Sequence, residues 1–171
     1  MDAVTAHKFL LPAASNLFPV YLHTPEAMAM LLAIGMQESD FIHRQQLIGH
    51  HRNWWESVKG PARSFWQFEL IGIQGVLEHP ATRAMAVTLC QRFGYPIDAG
   101  VIHKAVTHND LLAAGFARLA LYRLPYPLPD CDQDENGWNQ YIAAWRPGKP
   151  KPERWPERFR RAWEIVDAKT H

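Results

Sequence analysis

From Ala27 to Met36 the chain carries no charged and no strongly polar side chain, and then Gln37, Glu38, Ser39 and Asp40 arrive together. Thr24 offers an N-cap and Pro25 fits the first helical position, so the pattern predicts a helix from Pro25 to about Glu38. A helix that is apolar on every side has no face for solvent and belongs inside the fold, with the rest of the chain wrapped around it. An acid at its end sits where the core meets solvent or a cleft. Partial desolvation there penalises the carboxylate and raises its pKa. A carboxyl group kept protonated near neutral pH in this way can serve as a general acid. Glu38 is therefore the candidate catalytic residue, and the competing reading is an ordinary helix-end acid in solvent.

A chain of 171 residues with 47% hydrophobic side chains is long enough for a real core and is read as a single domain, 1–171. Its net charge of +1 argues against a generally polyanionic partner. Cys90 and Cys131 fit no metal spacing and make no disulfide scaffold, so both are expected reduced. No apolar run reaches about 18 residues, so no membrane span is expected. The N-terminus has an acid at position 2 and no basic-then-apolar order. It is not read as a signal peptide, and synthesis in the cytoplasm is expected.

Along the chain, a first helix is expected over Ala3 to Leu10, with Pro12 and Pro19 breaking the next stretch. Residues 42–60 read as a long polar loop of the kind that carries function. Residues 60–76, with glycines at 60, 72 and 75, read as a turn or short strand pair and then a tight Gly-dependent segment. A helix opened by His79-Pro80 runs to Phe93 and is stopped by Gly94. Asp98 caps a short helix to about Thr107, and Asn109 or Asp110 caps another, whose alanines and Gly115 allow close packing. Pro125, Pro127 and Pro129 end it. Two more helices are expected, at 138–145 and from Glu157 to Asp167, the second after a proline-rich, basic arm beginning near residue 146. The fold class expected is mainly α, a helical domain with a small β or loop lobe between residues 42 and 76.

Glu38-Ser39-Asp40-Phe41 resembles the signature of soluble lytic transglycosylases and the wider lysozyme-like superfamily, in which a buried helix ends in Glu-Ser, one further residue and Phe. The segment from Ala62 to Phe68 is similar to the family's next motif, a glycine-rich turn leading to an aromatic or Met residue and Gln, with Gln67 at the Gln position. There are departures. The two glycines of that turn fall at Pro61 and Ser64, the loop between the motifs is longer, and the nearest match to the family's Ala-Tyr-Asn segment is Ala120-Leu121-Tyr122. The resemblance covers roughly residues 25–122. The chain is also similar to small tailed-phage proteins with an ending like Trp145-Arg146-Pro147-Gly148-Lys149-Pro150.

The resemblance implies a lysozyme-like fold, with the β or loop lobe forming one wall of a substrate cleft. It implies a peptidoglycan-cleaving glycosidase, acting on the linkage between N-acetylmuramic acid and N-acetylglucosamine. Glu38 would protonate the glycosidic oxygen and then act as base. Lysozymes that hydrolyse with a second carboxylate take their outcome from the separation of the two acids. Asp40, Glu56 and Glu69 are the candidates for it, and none lies in a matching motif. A lytic transglycosylase needs only one acid, because the substrate's own 6-hydroxyl attacks, and that mechanism is preferred. Ser39 would orient the acid or contact substrate, or bond local backbone instead. Gln67 would hydrogen-bond sugar or acid, and Glu69 and Tyr122 join it as substrate-binding candidates. Trp66, Trp54 and Trp55 stack on sugar rings or pack in the core. The glycan strand is the expected partner, with other virion proteins as further partners; no metal or other cofactor is expected. The protein would ride in the virion or be delivered to the periplasm at lysis. The alternative is a non-catalytic virion or tail accessory protein on the same scaffold.

His43, His50 and His51 match no zinc spacing and read as a solvated loop. No Gly-x-Ser-x-Gly elbow surrounds Ser39 or Ser64. Between Arg146 and Arg161 seven Lys or Arg face two Glu, interleaved with Trp155 and Phe159. That pattern is read as a solvated helix face anchored by aromatics rather than as a nucleic-acid surface.

Overall fold

The computed structural model describes residues 1–48 and 58–168. In chain order its elements are α1 (Ala3–Thr5), α2 (Leu11–Ser15), α3 (Pro25–Ser39), β1 (Gln45–Ile48), β2 (Val58–Arg63), α4 (Leu70–Glu78), α5 (Arg83–Arg92), α6 (Ala99–Ala105), α7 (Asp110–Tyr122), α8 (Asp134–Trp145) and α9 (Trp155–Asp167). The protein is mainly helical, with one two-stranded antiparallel sheet among the described residues. No helix among them is long and apolar enough to cross a membrane.

Helix α3 is the axis of the fold. Thr24 Oγ1 accepts the Ala27 N–H at 3.2 Å, with Pro25 at the first turn. Every residue from Ala29 to Gly35 is buried. Three elements close around it: α7, the N-terminal helix and α9. Helix α9 lays Trp155, Phe159, Ala162 and Trp163 into the core. The stretch expected as a basic arm thus ends in a helix packed along α3, with Arg160 and Arg161 on its solvent side.

Differences from the sequence expectations have local causes. The N-terminal helix does not stop at Leu10. Residues Ala6–Leu10 widen to a π-helical turn, in which the Leu11 N–H reaches Ala6 O, and α2 continues to Ser15. In a regular helix the Pro12 ring would press on the Lys8 carbonyl, and a wider turn before it relieves that clash. The segment after Glu69 is a helix, α4, rather than a tight turn. Its Gly72 faces the Phe68 ring, with 3.3 Å left for an added Cβ, and its Gly75 faces the guanidinium of Arg123. These glycines serve close approach inside a helix. Helix α5 begins at Arg83, because Thr82 turns inward and donates to Val76 O at 2.7 Å. Helix α8 begins at Asp134, with Asp134 and Glu135 suited to the positive end of the helix dipole. Gly115 does admit close packing: an added Cβ would lie 2.6 Å from Leu89 Cδ2.

In the sheet, Gln45 pairs with Arg63, Leu47 with Lys59 and Ile48 with Val58, with an irregularity between Gln45 and Leu47. The loop expected over 42–60 therefore contains β1, and its stretch 49–57 lies outside the described residues. Cys90 is buried and Cys131 exposed, both as free thiols.

The end of α3 is fixed by a chain reversal. Asp40 and Phe41 are both left-handed, at φ 51° and 56°. This folds the Phe41 ring back against Gly35, where an added Cβ would lie 2.6 Å from Phe41 Cε2. Gly35→Ala is expected to destabilise the protein by about 1–3 kcal/mol through overpacking. Gly148→Ala, which meets nothing within 4 Å, is expected to leave stability nearly unchanged. Urea denaturation of the two variants checks the contrast.

Candidate active site

Glu38 lies on the last turn of α3 and is half-buried. The buried helix behind it and the reversal ahead of it keep its carboxyl at the edge of the core. From α8, Tyr141 donates its hydroxyl to Glu38 Oε1 at 2.7 Å. The Glu38 pKa is raised from 4.5 to about 7. Loss of hydration is the main cause, the Tyr141 hydrogen bond works against it, and the negative charge of Glu69 adds to it. With Oε1 held by the tyrosine, the acid proton belongs on Oε2.

Tyr141 is held as firmly as the acid. It is 2% exposed. Its ring stacks on Trp155 at 5.3 Å between centroids and 9° between planes, and Trp138 lies 5.4 Å away. Trp155 Nε1 donates to Asp134 O at 2.8 Å, tying α9 to the start of α8. Burial pushes the Tyr141 pKa up, and the adjoining Glu38 pushes it further. The tyrosine thus stays a hydrogen-bond donor and cannot exchange roles with the acid.

The turn after β2 packs under the same helix end. Ser39 Oγ donates to Phe65 O at 2.7 Å and accepts the Phe41 N–H at 3.2 Å. This serine pins the helix end to the turn, and its hydroxyl hydrogen is committed to backbone rather than to substrate. Trp66 is fully buried, with Nε1 donating to Leu31 O at 2.9 Å. It is a core residue, and the sugar-stacking reading is corrected accordingly. Its carbonyl accepts Trp145 Nε1 at 2.7 Å. Gln67 donates its amide to Ser64 O at 2.7 Å and to His43 O at 3.2 Å. It closes its own turn instead of hydrogen-bonding Glu38. Ser64, at one of the two positions where the lytic transglycosylase motif has glycine, is buried at φ 69°, and Gln67 is at φ 49°. Arg44 braces the turn, lying 4.4 Å over the Phe65 ring and pairing with Asp110 through both carboxylate oxygens.

The remaining candidates separate. Glu69 is exposed at the N-cap of α4, near enough for its charge to act on Glu38. Asp40 is exposed and paired with Arg158 of α9 at 3.0 Å. Tyr122, a substrate-binding candidate, stands with Tyr21 at 6.2 Å and the Arg118 guanidinium at 5.8 Å, while Tyr141 is the tyrosine that meets Glu38. His50, His51, Trp54, Trp55 and Glu56 lie outside the described residues. An open groove of about 470 Å³, lined by Leu77, Arg83, Ile97 and Gly100 among others, runs between α4 and α6 and does not include Glu38.

Sequence reasoning missed Tyr141 and the aromatic group around it. A signal was present: Trp138, Tyr141 and Trp145 recur at the three- and four-residue spacing that stacks side chains on one helix face. It gave no hint that this face meets α3.

Together these groups hold one carboxyl protonated near neutrality, oriented by one neutral hydroxyl. The linkage to stability has a definite sign. Below pH 4.5 Glu38 is protonated whether the chain is folded or not, so it has no pH-dependent effect there. Between 4.5 and about 7 the folded state binds the proton more tightly, and stability falls as pH rises. Above 7 the cost of the buried charge is complete. Glu38→Gln removes this dependence. Its stability relative to wild type is therefore expected to improve by roughly 3 kcal/mol between pH 4 and pH 8, as read from urea melts at the two ends. No protein-family model, curated protein or solved structure matches this chain.

Proposed function

We propose that the protein is a lysozyme-like peptidoglycan-cleaving glycosidase, a lytic transglycosylase of phage type, with Glu38 as its one acid and base. The observation that carries this reading is the Glu38 carboxyl, desolvated at the edge of the core, with its pKa raised to about 7 and one oxygen held by Tyr141. A group that titrates near the working pH gives a proton and takes one back with comparable ease. The Glu-Ser-x-Phe order at the end of a buried helix supports the same reading.

In the reaction, Glu38 Oε2 gives its proton to the glycosidic oxygen as the bond to the muramoyl C1 breaks. The C6 hydroxyl of the same sugar attacks C1, and its proton passes to the Glu38 carboxylate. The products are a 1,6-anhydro sugar and a glycan end carrying the freed hydroxyl, and the enzyme returns to its starting state. Tyr141 steadies the carboxylate between the two transfers. Asp40, held by Arg158, does not serve as a second acid. Glu69 acts by raising the pKa of Glu38. The partner is the glycan strand, and the place of action is the virion during genome entry or the periplasm at lysis.

Zymography on purified murein tests the reading. Wild type is expected to clear and Glu38→Gln to lose clearing by more than about 100-fold, within the range general acid–base catalysis supplies. Mass spectrometry of the released muropeptides is expected to find the anhydro product. Glu69→Gln is expected to keep activity, with the pH optimum moved down, because removal of its charge lowers the Glu38 pKa. Loss of activity in Glu69→Gln equal to that in Glu38→Gln would make the enzyme a two-carboxylate hydrolase instead.

One observation favours a second reading, a non-catalytic virion or tail accessory protein on this scaffold. Gln67 is used inside its own turn, and the turn has Ser64 in place of glycine. Absence of clearing by wild type and Glu38→Gln alike supports that reading and removes the first.

A further inference from the structure

A second site, independent of the glycosidase reading, lies between the N-terminal helix and α7. Arg118 is 8% exposed. Its Nε donates to Leu22 O at 2.9 Å, and its Nη1 is buried with no acceptor in the protein. The ion pairs among the described residues use Arg44, Arg158, Arg160 and Arg161, and none reaches Arg118. The ionisable groups acting on it are Tyr122 and Tyr21, and burial lowers its pKa to about 10. A guanidinium in that position is a cation taken out of water without a counter-charge, an arrangement that is expensive unless something negative joins it.

A small cavity sits against this group. It has a volume of about 10 Å³ and is lined by Ser15, Phe18, Leu22, His23, Leu31 and Arg118 among others. His23 Nε2 is also buried without a partner. The lining contains no Asp and no Glu. Its polar side chains are Arg118, His23 and Ser15, which offer N–H or O–H groups, with His23 in its Nε2–H tautomer. The other side chains are aliphatic or aromatic. The volume is that of one water-sized occupant, too small for sulfate, phosphate or a carboxylate ligand. A water would meet the hydrogen-bonding need but leave the charge uncompensated. A monatomic anion meets both; chloride is somewhat larger than water, and the flexible Arg118 and Ser15 side chains must give by a few tenths of an ångström to seat it.

We propose that the cavity between the N-terminal helix and α7 binds one halide ion, chloride in the cell, held by Arg118 Nη1, His23 Nε2 and the Ser15 hydroxyl. The ion would link Ser15 and His23, which flank the turn before α3, to α7 and so brace the helices around α3.

Thermal unfolding of the full chain, in sodium chloride and in sodium gluconate at matched ionic strength and pH, tests this. Chloride and bromide are expected to raise Tm by a few degrees in a saturable way, and gluconate is expected to give no such rise. In Arg118→Met the halide-specific rise is expected to vanish. A bromide-soaked crystal of the wild type, which needs no variant to fold, is expected to place an anomalous peak within hydrogen-bond distance of Arg118 Nη1. Equal melting in the two salts with no bromide at Arg118 would mean that water alone fills the cavity, and the proposal fails. A halide effect that persists in Arg118→Met would place binding elsewhere and overturn it as well.

Discussion

The burial of α3 on every side is the constraint on which the rest of the structure depends. An apolar helix with no solvent face forces α7, α9 and the N-terminal helix to close around it. Its polar end then has nowhere to go except the boundary of the core. Glu38 is half-buried because the helix before it is buried from Ala29 to Gly35 and reaches the core boundary at Met36 and Gln37. The resulting loss of hydration, more than any nearby charge, raises its pKa. Tyr141 is the counterweight: its hydrogen bond lowers the same pKa, and the balance settles near 7.

The backbone around that helix end is under strain, and the strain is local. Among the described residues the non-glycine positions with positive φ are Asp40, Phe41, Ser64, Gln67 and Arg146. The first two reverse the chain after α3, the next two shape the turn beneath it, and Arg146 ends α8 next to Trp145. For a residue as bulky as Phe41 this conformation is costly. It persists because Ser39 bridges to Phe65 O, Trp145 to Trp66 O and Trp66 to Leu31 O. Such concentration of strain is what a site held in one geometry requires.

Much of this was legible in the sequence, and the boundary of legibility has physical reasons. Helix α3 and its acid could be read because composition and caps are local signals. Helices α6 and α7 began where Asp98 and Asn109 indicated, each side chain accepting the backbone N–H three residues on. Helix α4 was obscured because glycine marks both turns and close packing, and only the positions of Phe68 and Arg123 separate the two. Tyr141 was out of reach because it meets Glu38 from 103 residues away. Tyr122, the nearest match by local order, sits with Arg118 instead. Trp66 packs in the core instead of facing a sugar, and the bonds by which Gln67 closes its own turn could not be read from order alone, since a side chain that pins a turn and one that binds a sugar have the same local pattern.

The most direct measurement is the titration of the Glu38 carboxyl by carbon-detected NMR, assigned with Glu38→Gln. A midpoint near pH 7 is the result expected of an acid held between burial and the Tyr141 hydroxyl. A midpoint in the ordinary carboxylate range, near 4.5, would mean that water reaches the group freely, and a proton donor working near neutrality could no longer be placed at the end of α3.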